Sequence, residues 1–250
     1  MNFVNDYTVA MTTHLDDAAI ARAPIQARSR DRFEKVVKAA DAMLAEHGLS
    51  GFSIPALAET LSFSRRSIYL FFPTPYAVLN EVTRRYVKGL ENYLTQMLAN
   101  LDDPPIEELI VQMTYAAADF HNHNPVARLL ILGGAVTDKS FRAQDMNTLH
   151  LGRLARHILL QSEIVIPPSP PDMPTLAIEL GTACFRLSHA RHGEITDSYK
   201  VEAAHVMLLY LSDMLNLNNG LPRDRLQQLL QGTSNNLLLT PSVNITATAD

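Results

Sequence analysis

The sequence predicts an all-α protein made of two parts, a small three-helix unit with a helix-turn-helix near the N-terminus and a larger helical bundle after it. Apolar residues recur at the three- and four-residue spacing of helices along most of the chain, and no stretch shows strand alternation. Two short segments, eleven residues apart, each follow a serine suited to capping a helix. With 250 residues, 47% of them hydrophobic, the chain is long enough for a substantial core.

Composition narrows the class of protein further. No apolar run reaches the roughly 18 residues of a membrane span. Asp6, Asp16 and Asp17 interrupt the N-terminal segment, which therefore does not read as a signal peptide. The single cysteine, Cys184, excludes an intramolecular disulfide and suits a reducing compartment. We expect a cytoplasmic protein.

The charge is unevenly distributed. The net charge is −5, yet residues 22–88 contain eleven Lys and Arg against six Asp and Glu. Residues 89–250 contain ten Lys and Arg against seventeen Asp and Glu. A basic N-terminal part joined to an acidic remainder is typical of one nucleic-acid-facing domain with a separate body.

The two short helices begin at serines. Ser53 can accept a hydrogen bond from a free N–H of a helix predicted over 54–61, and Pro55 fits its first turn because the N–H it lacks would have no partner. Ser64 caps a second helix, predicted over 65–72, and a proline ends it. Helices this short do not fold alone, so the pair is typical of a helix-turn-helix whose second helix enters the DNA major groove.

The second helix begins with Arg65 and Arg66, whose guanidinium groups could reach guanine edges or phosphates. On these residues alone, an ordinary helical hairpin with a solvated arginine pair remains an equal alternative.

The segment from Arg30 to Val82 contains a wider set of residues at characteristic spacing: Ala39-Ala40, Met43-Leu44, Gly48, Phe52-Ser53, Leu57-Ala58, Phe63-Ser64, Ser67-Ile68-Tyr69, Phe72 and Ala77-Val78-Leu79. This segment, about a fifth of the chain, resembles the DNA-binding domain of TetR/AcrR-family transcriptional repressors. The resemblance implies a homodimeric repressor that binds a palindromic site in double-stranded DNA and responds to a small-molecule effector.

The resemblance also implies a set of DNA-contacting residues: Ser53, Ser64, Arg65, Arg66, Ser67, Tyr69, Leu70 and Thr74. Three positions depart from the family pattern. Ser62 stands where the family has a turn glycine, Pro75 replaces a phosphate-contacting lysine, and Leu70 replaces a polar residue. Leu70 could touch a thymine methyl group instead.

Four regions follow from these patterns. We predict a flexible N-terminal arm over 1–27, the helix-turn-helix domain over 28–75, a ligand-binding and dimerisation domain over 76–220, and a short helix with a disordered tail over 221–250. Outside the helix-turn-helix, the predicted helices cover about 33–47, 75–101, 106–121, 126–132, 141–162, 175–191, 194–217 and 223–231. His47 is predicted to lie in the core.

The body is predicted to hold a small, mostly apolar ligand. Candidate lining residues are Met113, Tyr115, Phe120, Leu130, Arg153, His157 and Phe185. Arg153 or His157 could meet an acidic group of the ligand. Taken one by one, each of these residues is better explained as plain core than as part of a ligand site.

The last two long helices carry more apolar surface than one body needs, which favours a symmetric dimer interface over simple core. Candidate interface residues are Leu180, Cys184, Leu187, Leu208, Leu211 and Leu215.

Catalysis is not indicated. No phosphate loop, nucleophile elbow or metal-ligand spacing occurs, and we expect no cofactor and no metal. Two alternatives to an effector-controlled repressor stay open. One is a helical enzyme or ligand carrier with an incidental helix-turn-helix, and the other is a DNA-binding regulator without a ligand.

Overall fold

The computed structural model describes residues 19–24, 26–102, 104–133, 148, 151–157, 159–160, 166, 171–215 and 221–236. The regular elements among them are all helical, which confirms the predicted fold class. They are α1 Ala27–His47, α2 Ile54–Leu61, α3 Arg65–Tyr69, α4 Pro75–Ala99, α5 Ile106–His123, α6 Pro125–Ala127 followed by a π-helical turn Arg128–Leu132, α7 (described at 151–157 and 159–160), α8 Met173–His192, α9 Asp197–Leu215 and α10 Arg223–Asn236. None of these helices is long and apolar enough to cross a membrane. The predicted helix over 141–162 falls partly outside the described residues. Residues 1–18 of the predicted arm and the predicted tail beyond 236 lie wholly outside them.

Helices α1, α2 and α3 enclose a small aromatic and aliphatic core. The ring of Phe33 on α1 stacks on Phe72, with 4.7 Å between centroids, and meets Phe71 edge-on at 6.0 Å. Leu57 and Ile68 are fully buried beside them. This core fixes the position of α3 relative to α1, so the exposed side of α3 is presented on a rigid base.

Helix α3 is shorter than the sequence predicts. It ends at Tyr69, and the N–H groups of Phe71 and Phe72 both donate to the carbonyl of Ile68, at 3.0 and 2.9 Å. The proline after Phe72 disfavours helical backbone at that residue, so the chain leaves the helix early. The consequence is that Phe72 turns into the core instead of continuing the helix.

Helix α4 has 25 residues and is about 37 Å long at about 1.5 Å per residue. Its N-terminal half packs on α1 through an ion-pair network in which Arg85 donates to Glu34 (2.5 and 2.7 Å) and to Glu81 (2.8 Å). The hydroxyl of Tyr86 donates to Asp41 Oδ1 at 2.8 Å. Its C-terminal half packs on α5, so one rigid helix joins the two parts of the protein.

In the body, α8 and α9 pack closely against each other. A Cβ added to Gly181 on α8 would lie 2.6 Å from Met207 Sδ on α9, so a larger residue would force the helices apart. Helix α10, longer than predicted, covers the opposite sides of α5 and α9. The buried Tyr115 hydroxyl donates to the carbonyl of Leu226 on α10 at 2.8 Å.

Two expectations about the N-terminal part are corrected. The predicted flexible arm includes residues 19–24, but these are attached to the part formed by α1, α2, α3 and the start of α4, called the head below. Arg22 N–H donates to the Phe71 carbonyl at 2.7 Å, and the Asn80 amide donates to the Ala19 carbonyl at 2.9 Å. His47 is half-exposed and not in the core, because it lies in the last turn of α1, where the helix runs past its partners.

Candidate nucleic-acid interface and internal cavity

The helix-turn-helix is held by serine caps. Ser53 Oγ accepts from Ala56 N–H at 3.3 Å, and Ser64 Oγ accepts from Ser67 N–H at 3.2 Å. Ser62 between them adopts the left-handed conformation, with φ 52° and ψ 38°. The turn therefore forms with serine where glycine would be unstrained, at a modest cost in backbone energy.

The side of α3 away from the core forms an exposed surface. Arg65 and Arg66 are exposed at its N-terminal end, and Tyr69 and Leu70 follow with 43% and 60% of their surface accessible. Ile68, completely buried, anchors the helix from the other side. The arrangement presents two cations, a phenol and an aliphatic group together, which is suitable for reading base edges and phosphates.

The remaining predicted contact residues lie at helix starts. Ser67 Oγ donates to the Ser64 carbonyl at 2.6 Å and lies 3.0 Å from Ser64 Oγ. Thr74 Oγ1 accepts from Ala77 N–H at 3.2 Å and so caps α4. A hydroxyl that accepts one bond still has a proton to donate, so capping is compatible with a phosphate contact by Ser53, Ser64 or Thr74.

A cavity of about 120 Å³ lies in the body between α4, α5, α7, α8 and α9. Its wall is almost entirely aliphatic, with polar atoms contributed by a few side chains such as Thr114, His121 and Thr182. The lining residues are Leu90, Leu94, Ile106, Leu109, Ile110, Met113, Thr114, Ala117, His121, Leu151, Leu154, Ala155, Leu159, Pro174, Ala177, Ile178, Gly181, Thr182, Phe185, Met207 and Leu211.

Only two of the seven predicted lining residues, Met113 and Phe185, face this cavity. Tyr115 faces α10, because that helix covers its side of α5. Phe120 is buried against Tyr93 of α4, with 6.0 Å between ring centroids.

The other three predicted lining residues also lie elsewhere. Leu130 packs, partly buried, on the core that continues from the head into the body. Arg153 and His157 are exposed on α7, since the apolar side of that helix is the one that faces inward.

The predicted dimer residues divide into two groups. Leu180 and Leu187 are exposed on α8, and Cys184 between them is partly exposed. Three others face inward: Leu208 packs beneath α10, Leu211 lines the cavity, and Leu215 packs against both α8 and α9 neighbours. Leu176 on α8 and Leu209 on α9, which the sequence analysis did not select, are also exposed.

His121 is the most buried polar residue among the many cavity residues that the sequence analysis did not select. Only 4% of it is exposed, and its buried Nδ1 has no hydrogen-bond partner among the residues that the structure describes. Burial, followed by the positive charges of Arg128 and His189, lowers its pKa to about 3, so the imidazole is neutral at physiological pH. A lone histidine near the end of a helix gives no sequence signal of this role. Within the part of the chain that the structure describes, no three His, Cys, Asp or Glu side chains are placed to hold a metal.

Comparison with known proteins identifies the N-terminal domain. Residues 36–82 match the sequence model of the family described as bacterial regulatory proteins, tetR family. No curated protein matches the chain.

Solved structures extend the similarity to the whole fold. RolR in complex with resorcinol superposes with a TM-score of 0.57 at 16% identity, over 87% of this chain and 100% of that one. A TetR-family regulator from Mesorhizobium loti gives 0.51 at 15% identity, over 75% and 98% of the two chains. A transcriptional regulator from Rhodococcus sp. Rha1 gives 0.50 at 15% identity, over 76% and 98%. At these identities the likeness is one of fold.

Proposed function

We propose, from the match of residues 36–82 to the tetR-family model and from the fold, that this chain is a TetR-family regulator and a sequence-specific DNA-binding repressor of the cytoplasm. It acts as a homodimer and is released from DNA by a small, mostly apolar ligand. The observation that carries the proposal is the exposed surface of α3, where Arg65, Arg66, Tyr69 and Leu70 stand together on a helix anchored by Ile68. This is the element that a helix-turn-helix places in the major groove.

Recognition requires two heads. Each protomer places α3 in a major groove, and the two helices lie about 34–36 Å apart, or a multiple of this, so that the dimer reads a palindrome. Arg65 and Arg66 contact guanine edges or phosphates, and Leu70 meets a thymine methyl group. The capping hydroxyls of Ser53 and Thr74 fix the register on the phosphates.

The dimer forms through α8 and α9. Leu176, Leu180 and Leu187 on α8 and Leu209 on α9 are exposed, whereas the inward leucines of the same helices already have partners. A surface with several exposed leucines on two adjacent helices marks a protein–protein contact, and a second copy completes a four-helix interface.

Release requires that a ligand in the cavity moves the heads. Leu90 and Leu94 of α4 form part of the cavity wall, and the same helix is tied to α1 by Arg85. A ligand that binds more tightly to a conformer with differently spaced heads therefore weakens DNA binding by its difference in affinity. The similar RolR structure holds resorcinol, a one-ring compound, and a cavity of about 120 Å³ suits a ligand of that size.

The test is selection of the full-length protein on random DNA duplexes, followed by affinity measurements on the recovered sequence at two salt concentrations. We expect a palindrome and an affinity that falls steeply with salt. Arg65→Ala with Arg66→Ala should lose most of the affinity, and each phosphate contact removed should reduce the salt slope by about one.

The matched control removes the same charge elsewhere. Arg153→Ala with Arg191→Ala deletes two exposed arginines of the body and should bind like the unmodified protein. If the two double variants bind equally well, or if no sequence is enriched, the proposed function is wrong, and a ligand carrier or enzyme with an incidental helix-turn-helix becomes the better reading.

A further inference from the structure

We propose that Arg22, in the segment before α1, binds a phosphate of the DNA backbone at the edge of the groove that α3 occupies. This inference rests on the proposed function in one respect, that double-stranded DNA is the partner. It adds a contact that lies outside the helix-turn-helix and that each protomer of the homodimer makes once.

The segment that carries Arg22 is held at two points of the head. The N–H of Arg22 donates to the carbonyl of Phe71 at 2.7 Å, and the carbonyl of Ala19 accepts from the side-chain amide of Asn80 at 2.9 Å. Ala19 is buried, with 1% of its surface exposed. Phe71 follows α3 and Asn80 lies in the second turn of α4, so residues 19–22 lie across the junction between these two helices.

Arg22 therefore lies at the end of α3 that Arg65 and Arg66 do not occupy. Leu70, the last exposed residue of the α3 surface, directly precedes the Phe71 carbonyl to which Arg22 is bonded. Helix α3 has five residues and is about 7.5 Å long, whereas the major groove is about 12 Å wide. Because a helix-turn-helix inserts the N-terminal end of its second helix, the opposite end of α3 lies toward the phosphates at the edge of the groove.

Helices α3 and α4 supply no cation of their own at this end. The sequence has no Lys or Arg between Arg66 and Arg84. Arg22 is exposed, and no Asp or Glu among the described residues forms an ion pair with it. Four other basic residues of α1 and α4 are paired with carboxylates: Lys35, Arg84, Arg85 and Lys88. A guanidinium group whose charge no carboxylate neutralises can form charge-assisted hydrogen bonds with a phosphate.

The expected partner of Arg22 is phosphate and not a base edge, because the residue stands on a segment beside α3 and not on the side of the helix that faces the bases. A phosphate contact carries no sequence information, and it adds affinity by releasing counterions. Each contact contributes about 0.9 to the slope of log affinity against log salt. The loss of two contacts from a dimer therefore lowers the slope by about two, and at about 0.15 M salt it weakens binding about 10- to 30-fold.

The experiment measures the affinity of full-length Arg22→Ala over a salt series, on the duplex that selection with the unmodified protein recovers. We expect the loss of affinity and of slope given above. Arg22→Lys keeps the charge and should retain most of both. Arg191→Ala removes an exposed arginine of the body and is the matched control. Equal affinities and slopes for Arg22→Ala and Arg191→Ala overturn the inference.

A second variant tests the attachment of the segment. Asn80→Ala removes the hydrogen bond to the Ala19 carbonyl and leaves every basic residue in place. Because Arg22 is then held less firmly, we expect a smaller loss of affinity than in Arg22→Ala, and little further loss when the two changes are combined. Circular dichroism checks that each variant is folded. Effects that simply add refute the reasoning that the attached segment positions Arg22.

The sequence around the selected site distinguishes phosphate from base contacts. Arg22→Ala should weaken binding by the same factor on duplexes that share the site and differ in their flanking bases, because a phosphate contact acts alike on every sequence. A loss confined to particular flanking bases overturns the assignment to phosphate.

The arginines of α3 separate this inference from the proposed function. If Arg65→Ala with Arg66→Ala weakens binding and Arg22→Ala does not, DNA recognition stands and only the inference about Arg22 is wrong. If the unmodified protein binds no duplex, both are wrong.

Discussion

Arg85 links α4 to α1. Its replacement should reduce the free energy of unfolding several times more than the loss of an exposed ion pair on the same helix does. Only 9% of its side chain is exposed, and the same is true of Glu81. Arg85 donates two hydrogen bonds to Glu34 and one to Glu81. Burial acts to raise the pKa of Glu81, but hydrogen bonds from Arg84 and Arg85 outweigh it and keep the pKa below its usual value, so the carboxylate stays charged.

The magnitude follows from which partners remain after Arg85→Met. Glu81 keeps both hydrogen bonds from Arg84, each 2.8 Å, whereas Glu34 loses both of its bonds from Arg85. Removing one partner of a buried pair costs about 3–5 kcal/mol. The Glu34 side chain is 21% exposed and keeps some contact with water, so we expect a smaller loss than for a fully buried pair, about 2–3 kcal/mol. Glu34→Gln with Arg85→Met should recover part of this loss, because no uncompensated charge remains.

The assay is urea unfolding followed by far-ultraviolet circular dichroism at one fixed protein concentration, since association would make stability depend on concentration. Lys88→Met is the control: it breaks the exposed pair with Glu91 on the same helix and should cost under about 0.5 kcal/mol. The reasoning is refuted if Arg85→Met and Lys88→Met have equal effects, or if the effects of Glu34→Gln and Arg85→Met simply add.

Three further predictions concern the body. Below pH 6.5 the unfolded chain protonates His121 while the folded protein does not, so the stability of the folded protein falls as the pH falls toward the folded pKa of about 3. The loss of stability from this group is about 2 kcal/mol at pH 5. His121→Leu should remove that part of the pH dependence of urea unfolding. Gly152→Ala would place its Cβ 1.9 Å from a threonine of α8 and should lower stability by about 1–3 kcal/mol. Gly232→Ala in α10, with open space around it, should raise stability by about 0.5–1 kcal/mol. Thermal unfolding that ranks the two variants in the opposite order contradicts the packing described. Leu180→Glu with Leu187→Glu should give a monomer in analytical ultracentrifugation, and a persistent dimer would place the interface elsewhere.

Local chemistry made the head predictable. The serine caps and the proline placed α2 at the residues where it is found and started α3 at Arg65, because a cap acts on the N–H groups of its own first turn and needs no distant partner. Arg65 and Arg66, selected because they begin the helix, and Leu70, selected through the resemblance, are all exposed. Their contacts with DNA remain predictions.

The body was predictable only in outline. Helical periodicity correctly marks Tyr115 and Phe120 as inward residues, but it does not say which neighbour each one meets. Helix α10 decides this for Tyr115 and Leu208 by covering their sides of α5 and α9. The same uncertainty made Leu208 and Leu211 candidates for a dimer surface, although both are buried in the protomer.

The sequence by itself therefore determined the fold class, the helix-turn-helix and the family likeness, since these depend on spacing, capping and composition within short segments. The tertiary structure alone decided where the cavity lies and which side chains face it. His121 is near the end of α5, yet its lowered pKa comes from its burial and from the positive charges of Arg128 and His189. Those properties depend on how five helices pack, and no local pattern in the chain encodes them.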